Sequence, residues 1–371
     1  MSEIEQIDRQ LIKLLGKRIS CLTRSQKNGC GDRAEITDLL DRAGVPKSVW
    51  QNLTINCAAV SSTTSSPVNV KPRRVTVIGG HGQMGRFFVE QLLSSGHYVD
   101  ILGRDDWDNA SQLLGKADLV IVSVPIEQTV AIIAKAAQYL GASTTLADVT
   151  SIKTPIVQEM LDRHSGSVLG LHPMFGPGTN SFLGQNVVVC PDRQQQAYQW
   201  FLDFIESKGG KLIWSTPEEH DRIMTIVQAI RHFSTFGLGA FLAEEKIDLP
   251  RTLEFASPLY RIQLDLISRL FSGNASLYLN MMLPEERPQV ISRLAATYSR
   301  LAELVELGDR AALTKEFELA SSFFRQETSR ALEESNYMID SLSYFLAAKE
   351  SIVKADKVLL DEKEAIYPAV I

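Results

Sequence analysis

A β-branched run, a glycine-rich turn and the start of an amphipathic helix follow without interruption in VTVIGGHGQMGRFFVEQLL, residues 75–93. The spacing Gly80-x-Gly82-x-x-Gly85 fits the fingerprint of a dinucleotide-binding turn. Gly80 is expected to permit the tight turn. Gly82 lets a pyrophosphate approach the backbone amides of Gln83 and Met84, and Gly85 lets helix and strand pack closely. The helix N-terminus then presents its partial positive charge to the phosphates. The pattern alone also occurs in turns that bind nothing. Here a strand precedes it, a helix follows it, and a second strand (Tyr98–Leu102) comes at the right distance.

Further runs that read as strands are Leu119–Ser123, Thr144–Asp148, Val168–Leu171, Val187–Cys190 and Lys211–Trp214. Several are apolar without alternation, as strands buried on both faces should be. Helical stretches lie between them, so residues 73–216 predict a Rossmann-like, doubly wound parallel α/β sheet. Residues 217–346 carry almost no strand signal and predict an all-helical domain, with amphipathic helices at Ile291–Leu307 and Leu313–Phe324. Residues 1–60 predict a short helical segment, because Ile4, Ile7, Leu11, Leu14, Leu15 and Ile19 share one face. Residues 61–72 read as a linker rich in Ser, Thr, Val and Pro, and residues 347–371 as a tail without clear structure.

The chain has 371 residues and a formal charge of −6. That balance argues against nucleic acid as a partner and leaves any anionic ligand to local Arg, Lys and His groups. Cys21, Cys30, Cys57 and Cys190 show neither disulfide nor zinc spacing, so a reducing cytoplasm is expected and no metal. The polar start MSEIEQIDRQ does not read as a signal peptide, and no apolar run is long enough to span a membrane.

Chemistry in such sheets sits at the carboxyl ends of the strands. Ser123-Val124-Pro125, Asp148 to Lys153, Leu171 to Pro177 and Ser215-Thr216 fall there. His172, one of six histidines, directly follows a hydrophobic strand in a loop bracketed by Pro and Gly. It is a candidate base, although a lone histidine is as readily structural. An acid is expected at the end of the second strand to bind ribose hydroxyls. Gly103 stands there, followed by Arg104, which suits a 2′-phosphate and leans towards NADP. Asp105 or Asp106 can supply the acid if the loop curls back, which keeps NAD open. In the helical region Gln228 and His232 share one predicted helix. Arg261 and Arg269 share another, eight residues apart and so ~80° apart around it. They can clamp two carboxylates or be surface charges, and spacing alone does not choose.

The segments VIGGHGQMGR, DDWDNA, ADLVIVSVPI, LADVTSIK, VLGLHPMFGP, AYQWFLDFI, EHDRIM, VQAIRHFSTFG, SPLYRIQLDLISRLF and LYLNMM together resemble the prephenate dehydrogenases. The likeness is specifically to the dehydrogenase part of the bifunctional chorismate mutase/prephenate dehydrogenases of enterobacterial type. The resemblance runs from about residue 74 to 280, and more weakly to about 345. It implies oxidative decarboxylation of prephenate to 4-hydroxyphenylpyruvate with hydride transfer to NAD or NADP, and a homodimer formed through the C-terminal helices. It makes His172 the catalytic histidine on the substrate hydroxyl, and Ser123 the neighbour that orients it. Arg269 becomes the main carboxylate ligand, with Arg261 as support or as a helix-packing partner. Gln228 and His232 contact the substrate or a bound tyrosine inhibitor, and Lys153 lies near the cofactor–substrate junction. Gly80, Gly82, Gln83, Met84, Gly85, Arg104, Ser123 and Pro125 line the cofactor.

Residues 4–18 resemble the first helix of the helical chorismate mutases, with Arg18 matching a substrate-binding arginine. Asp32-Arg33 and Ala43 to Pro46 echo later parts. The arginine expected before the helix falls at Met1, and Lys27-Asn28-Gly29-Cys30-Gly31 interrupts the helix where the family has a lysine. The last helix, near Trp50–Cys57, looks short. A rearrangement carried by charged side chains is therefore expected to be absent or very weak. Arogenate is an alternative substrate, and a non-catalytic tyrosine- or nucleotide-binding protein an alternative class. The retained His172, Ser123 and Arg269 speak against the latter. A β-hydroxyacid dehydrogenase needs a lysine near Ile226–Phe236, where there is none.

Overall fold

The computed structural model describes residues 2–25, 33–63, 71–176, 178–284 and 286–366. The chain divides into two compact units, residues 1–224 and 225–371.

The first unit begins with helices α1 (Glu3–Ser25), α2 (Arg33–Ala43) and α3 (Lys47–Thr63). Helices α1 and α3 pack together, and the Arg18 guanidinium lies 5.8 Å from the Trp50 ring centroid. The last helix is longer than expected and runs into the first residues of the supposed linker. Most of that linker, Asp32, and the interruption at residues 27–31 lie outside the described residues.

The sheet follows as β1 (Arg74–Ile78), α4 (Gln83–Leu93), β2 (Tyr98–Leu102), α5 (Ala110–Leu114), β3 (Leu119–Val122), α6 (Ile126–Ala137), β4 (Thr145–Asp148), α7 (Thr154–Arg163), β5 (Ser167–Pro173), β6 (Asn186–Pro191), α8 (Gln195–Ser207), β7 (Lys211–Trp214) and α9 (Pro217–Met224). The seven strands lie in the order β2-β1-β3-β4-β5-β6-β7. Val75, Val77, Leu119 and Ile121 face one core, with Phe87 and Phe88 of α4 and Phe201 and Phe204 of α8. Ile78, Val120, Val122 and Leu146 face another, with Leu114, Ile133, Val157 and Met160. Helices thus cover both faces, which is why these strands are apolar without alternation.

The all-parallel expectation fails at one pair: β6 is antiparallel to β5, with His172 opposite Val188 and Leu171 opposite Val189. A parallel return needs a crossover, usually a helix. The connection from Met174 to Gln185 contains none, so the chain re-enters from the same end. It is anchored instead by Phe182, which is fully buried beside Phe87 and Phe204. The first compact unit runs on to Met224, because α9 packs on α7 and β6.

The second unit opens with a π-helical turn, Thr225–Ile230. It continues as α10 (Arg231–Glu244), α11 (Leu249–Glu254), α12 (Pro258–Phe271), α13 (Ala275–Met282), α14 (Arg287–Glu306), α15 (Arg310–Phe324) and α16 (Thr328–Ile366). Helices α10 and α12 meet at Gly239, where an added Cβ would lie 2.2 Å from the Phe271 ring. Arg287 is almost wholly buried and donates to the Met281 carbonyl at 2.7 Å. The region expected to be an unstructured tail is helical as far as Ile366, and only its last residues lie outside the description. Among the described residues no helix is long and apolar enough to cross a membrane.

Candidate active site

The crevice of an open α/β sheet lies where the strand order reverses, here between β1 and β3. The glycine turn leaves β1 at that point. Its left-handed residue is Gly79 (φ +80°), not Gly80, and a Cβ on Gly79 would lie 2.3 Å from the Ser123 carbonyl oxygen. Gly80 is needed for clearance instead, because its Cβ would meet the Ile101 side chain at 2.9 Å. The role expected of Gly85 holds, since a Cβ there would lie 2.4 Å from the Gly79 oxygen. Helix α4 has Gly82 as its N-cap and no side chain bonded to its first amides. A turn with no room for Cβ atoms and an uncapped helix start is what a pyrophosphate needs. Across the crevice Ser123 directly follows β3 and Pro125 is the N-cap of α6.

At the tip of β2 the loop does curl back. The Asp106 carboxylate accepts the Gly103 amide at 2.7 Å and lies 2.9 Å from where a Gly103 Cβ would be. A carboxylate therefore occupies the place where the side chain of an acid at 103 would start. Arg104 is exposed beside it.

His172 lies within β5, so backbone pairing with β6, rather than a Pro- and Gly-bracketed loop, holds it. Pro177 of that loop lies outside the described residues. The His172 ring is buried, and its Nδ1 is 2.8 Å from His220 Nε2. His220 Nδ1 is in turn 2.7 Å from Asp221 Oδ1. The Asp221 carboxylate also accepts the backbone amides of Lys153 and Thr154, each at 2.8 Å, at the N-terminus of α7. Burial pushes the Asp221 pKa up, but bonds from His220, Thr154 and Lys153 outweigh it and bring the group down to about 2. Burial lowers His220 against the opposing pull of Asp221 and leaves it below the usual histidine range. Sequence reading missed this pair. Its one signal was His-Asp in the first turns of a helix after a strand.

Ser123 was expected to orient His172; among the described residues it is His220 that holds the Nδ1 ring nitrogen. Lys153 was expected at the cofactor–substrate junction. Its ammonium is fully buried and ion-paired to the fully buried Asp148, beside the Thr150 hydroxyl at 3.3 Å. Gly170 leaves space for its stem, since a Cβ there would lie 3.3 Å from Lys153 Cδ. What Lys153 contributes towards His172 is its backbone amide. Cys190, close by, is pushed up to about 12 by burial and stays a neutral thiol.

In the second unit, Gln228 lies on the π-helical turn and His232 in the first turn of α10. The His232 ring packs 5.0 Å from Tyr278, and burial, then Arg231, lowers it to about 4. On α12, Arg261 donates to the Leu253 carbonyl at 3.3 Å, so it ties α12 to α11. Arg269 is exposed and makes no ion pair among the described residues. Among the described residues no cluster of His, Cys, Asp or Glu is arranged to hold a metal ion.

Family models match most of this chain in two adjoining parts. Residues 99–214 match the prephenate dehydrogenase nucleotide-binding domain, and residues 216–319 the prephenate dehydrogenase dimerization domain. Similar over 91% of this chain are the T-proteins of Enterobacter agglomerans (36% identical, 96% of its length) and Haemophilus influenzae (34% identical, 95% of its length). Among solved structures, Aquifex aeolicus prephenate dehydrogenase in complex with hydroxyphenyl propionate and NAD+ shares the fold. It has a TM-score of 0.55 and 19% identity, covering 71% of this chain and 99% of that one. With the two-faced sheet, the uncapped glycine turn and the strand-end histidine, these matches place the chain in the prephenate dehydrogenase family.

Proposed function

We propose that this chain oxidises and decarboxylates prephenate to 4-hydroxyphenylpyruvate, with NAD or NADP as hydride acceptor. The observation that carries the proposal is His172, fixed at the carboxyl end of β5 with one ring nitrogen held by His220. The amides and close-packed glycines of residues 80–85 suit the pyrophosphate, and Ser123 and Pro125 suit the nicotinamide side of the crevice. The bound dinucleotide supplies the acceptor for the hydride that leaves the carbinol carbon of the ring. His172 takes the hydroxyl proton as the C=O bond forms. The ring carboxylate then leaves as carbon dioxide, the electron pair of the broken C–C bond completes the aromatic ring, and the carbonyl oxygen, left as a phenolate, takes the proton back from His172. A group that must accept this proton has to be neutral beforehand, so the rate rises with pH through the His172 titration.

In this reading Arg269 pairs with the side-chain carboxylate, since an exposed guanidinium is available for a bidentate fork. Gln228 and His232 contact the substrate, or tyrosine acting as an inhibitor at the same groups. Arg261 and Lys153 act through packing, because the one is tied to Leu253 and the other to Asp148. Asp106 at the β2 tip suits the ribose of NAD, and Arg104 beside it suits the added phosphate of NADP. The second unit exposes Phe255, Phe317 and Phe323 by three-quarters or more, apolar surface that fits pairing with a second copy. The N-terminal helices are proposed to have at most weak mutase activity.

The test is a matrix of initial rates for prephenate and arogenate with NAD and NADP, repeated with His172→Asn, together with chorismate consumption in the absence of cofactor. Turnover of prephenate that His172→Asn abolishes without weakening cofactor binding supports the proposal. Equal loss of both, or turnover of neither substrate, overturns it. Ready chorismate consumption overturns the mutase assignment alone.

A further inference from the structure

The orientation of the His172 ring follows from the far end of its hydrogen-bond chain. Main-chain amides only donate, so the amides of Lys153 and Thr154 require an accepting carboxylate at Asp221. Asp221 is ionised over the whole working range of pH, with a value of about 2. The nitrogen facing it 2.7 Å away, His220 Nδ1, must therefore carry the hydrogen. His220 is buried and lowered, which keeps the ring neutral and leaves a lone pair on Nε2. That atom lies 2.8 Å from His172 Nδ1. Two facing lone pairs would repel, so His172 Nδ1 is the donor. In a neutral imidazole the accepting nitrogen is then Nε2.

We propose that Asp221 and His220 are positioning residues that hold His172 as its Nδ1–H tautomer, so that Nε2 receives the substrate proton. The inference rests on the dehydrogenase reading above, in which His172 is the base. Once His172 gains the proton, its Nδ1–H bond to His220 becomes charge-assisted, and the fixed Asp221 carboxylate lies two hydrogen bonds away to offset the new charge. The anchor is rigid, because Asp221 closes the first turn of α7 and thereby joins α9 to the loop after β4. Among the described residues, the charged groups acting on His220 are Asp221 beside it on α9 and the ion pair between Asp148 at the end of β4 and Lys153 in the loop after it. On the β6 side Cys190 is neutral.

The full chain carrying Asp221→Asn tests the inference. An asparagine keeps the size but leaves one accepting oxygen where His220 Nδ1 and the Lys153 and Thr154 amides need two. Its NH2 must face one of these donors, so the fixed carboxylate that pins the tautomer of His220, and through it of His172, is lost. A wrong tautomer in a comparable histidine–carboxylate system costs about 10⁴-fold in kcat. A fall of about 10³-fold or more is expected here, with KM for prephenate and for the cofactor changed less than about threefold. Nitrogen-15 NMR of histidine-labelled protein reads the tautomer directly. His172 should show protonated Nδ1 and lone-pair Nε2 in the parent chain, and a mixed or reversed tautomer population in Asp221→Asn. His220→Gln, which keeps a carbonyl acceptor for His172 Nδ1, should retain at least about tenfold more kcat than His220→Leu. An Nε2–H tautomer in the parent chain overturns the proposal, whatever the variants do. So does an Asp221→Asn chain with parental kcat and tautomer. Retained turnover in His172→Asn, with the tautomer still as assigned, overturns the dehydrogenase reading instead.

Discussion

Replacing Lys153 by methionine separates two roles for one side chain. Lys153 and Asp148 are both fully buried and paired with each other. Without the ammonium, Asp148 keeps the Thr150 amide at 2.9 Å and the Thr150 hydroxyl, while its other oxygen already lacks a hydrogen-bond partner. Breaking a buried ion pair by removing one partner costs about 3–5 kcal/mol, because a charge is left uncompensated. For a unit of this size that corresponds to a fall in melting temperature on the order of 10 °C. Replacing both residues, Asp148→Leu with Lys153→Met, removes the stranded charge and should restore stability to within about 1 kcal/mol of the parent chain. Thermal unfolding by circular dichroism, with KM for prephenate measured on the same samples, makes the comparison. The geometry predicts a large stability loss in the single variant, recovery in the double, and a KM in the double within about threefold of the parent. A single variant that melts within about 2 °C of the parent but raises KM for prephenate tenfold or more would refute the reasoning. The ammonium would then be serving the substrate and not Asp148.

Three other outcomes follow from the geometry. Arg269→Ala should leave stability within about 0.5 kcal/mol, since the side chain is exposed, and raise KM for prephenate roughly 10- to 150-fold, the worth of one charged hydrogen bond; unchanged KM removes Arg269 from the site. Gly85→Val places a Cβ 2.4 Å from the Gly79 oxygen, so it should cost about 1–3 kcal/mol and weaken cofactor binding in a fluorescence titration while sparing KM for prephenate. His232 lies at about 4 in the folded chain, below its unfolded value near 6.5. The folded state thus binds fewer protons, and this contribution to stability is complete above about pH 6.5 and lost as pH falls towards 4. His232→Gln should flatten that part of the acid unfolding curve, and an unchanged curve contradicts the burial argument.

Much of the fold was legible because apolar runs and glycine spacing are local signals. Lys211–Trp214 and Tyr98–Leu102 were read with the boundaries that the structure has. The remaining strands differ by only a residue or two at their ends. The direction of β6 was not legible, because an apolar run looks the same whichever neighbour it pairs with. It was decided by a connection too irregular to cross the sheet and pinned by Phe182. The helical course of α16 was hidden by a sequence with little amphipathic contrast.

The candidate site divides along the same line. Covalent spacing along residues 75–93 was enough to specify a turn that a dinucleotide can approach, and the match to a known family marked His172 and Arg269. Which glycine takes the left-handed conformation depended on the Ser123 carbonyl, which arrives from a different strand. Which group holds His172 depended on α9 bringing His220 and Asp221 against the first turn of α7. The Lys153 ion pair has the same origin: sequence can show that a lysine is near the chemistry, but only packing brings its charge against the buried Asp148. Charge pairing and tautomer depend on three-dimensional neighbours 48 to 68 residues apart in the chain, a range over which no local pattern in the sequence carries information.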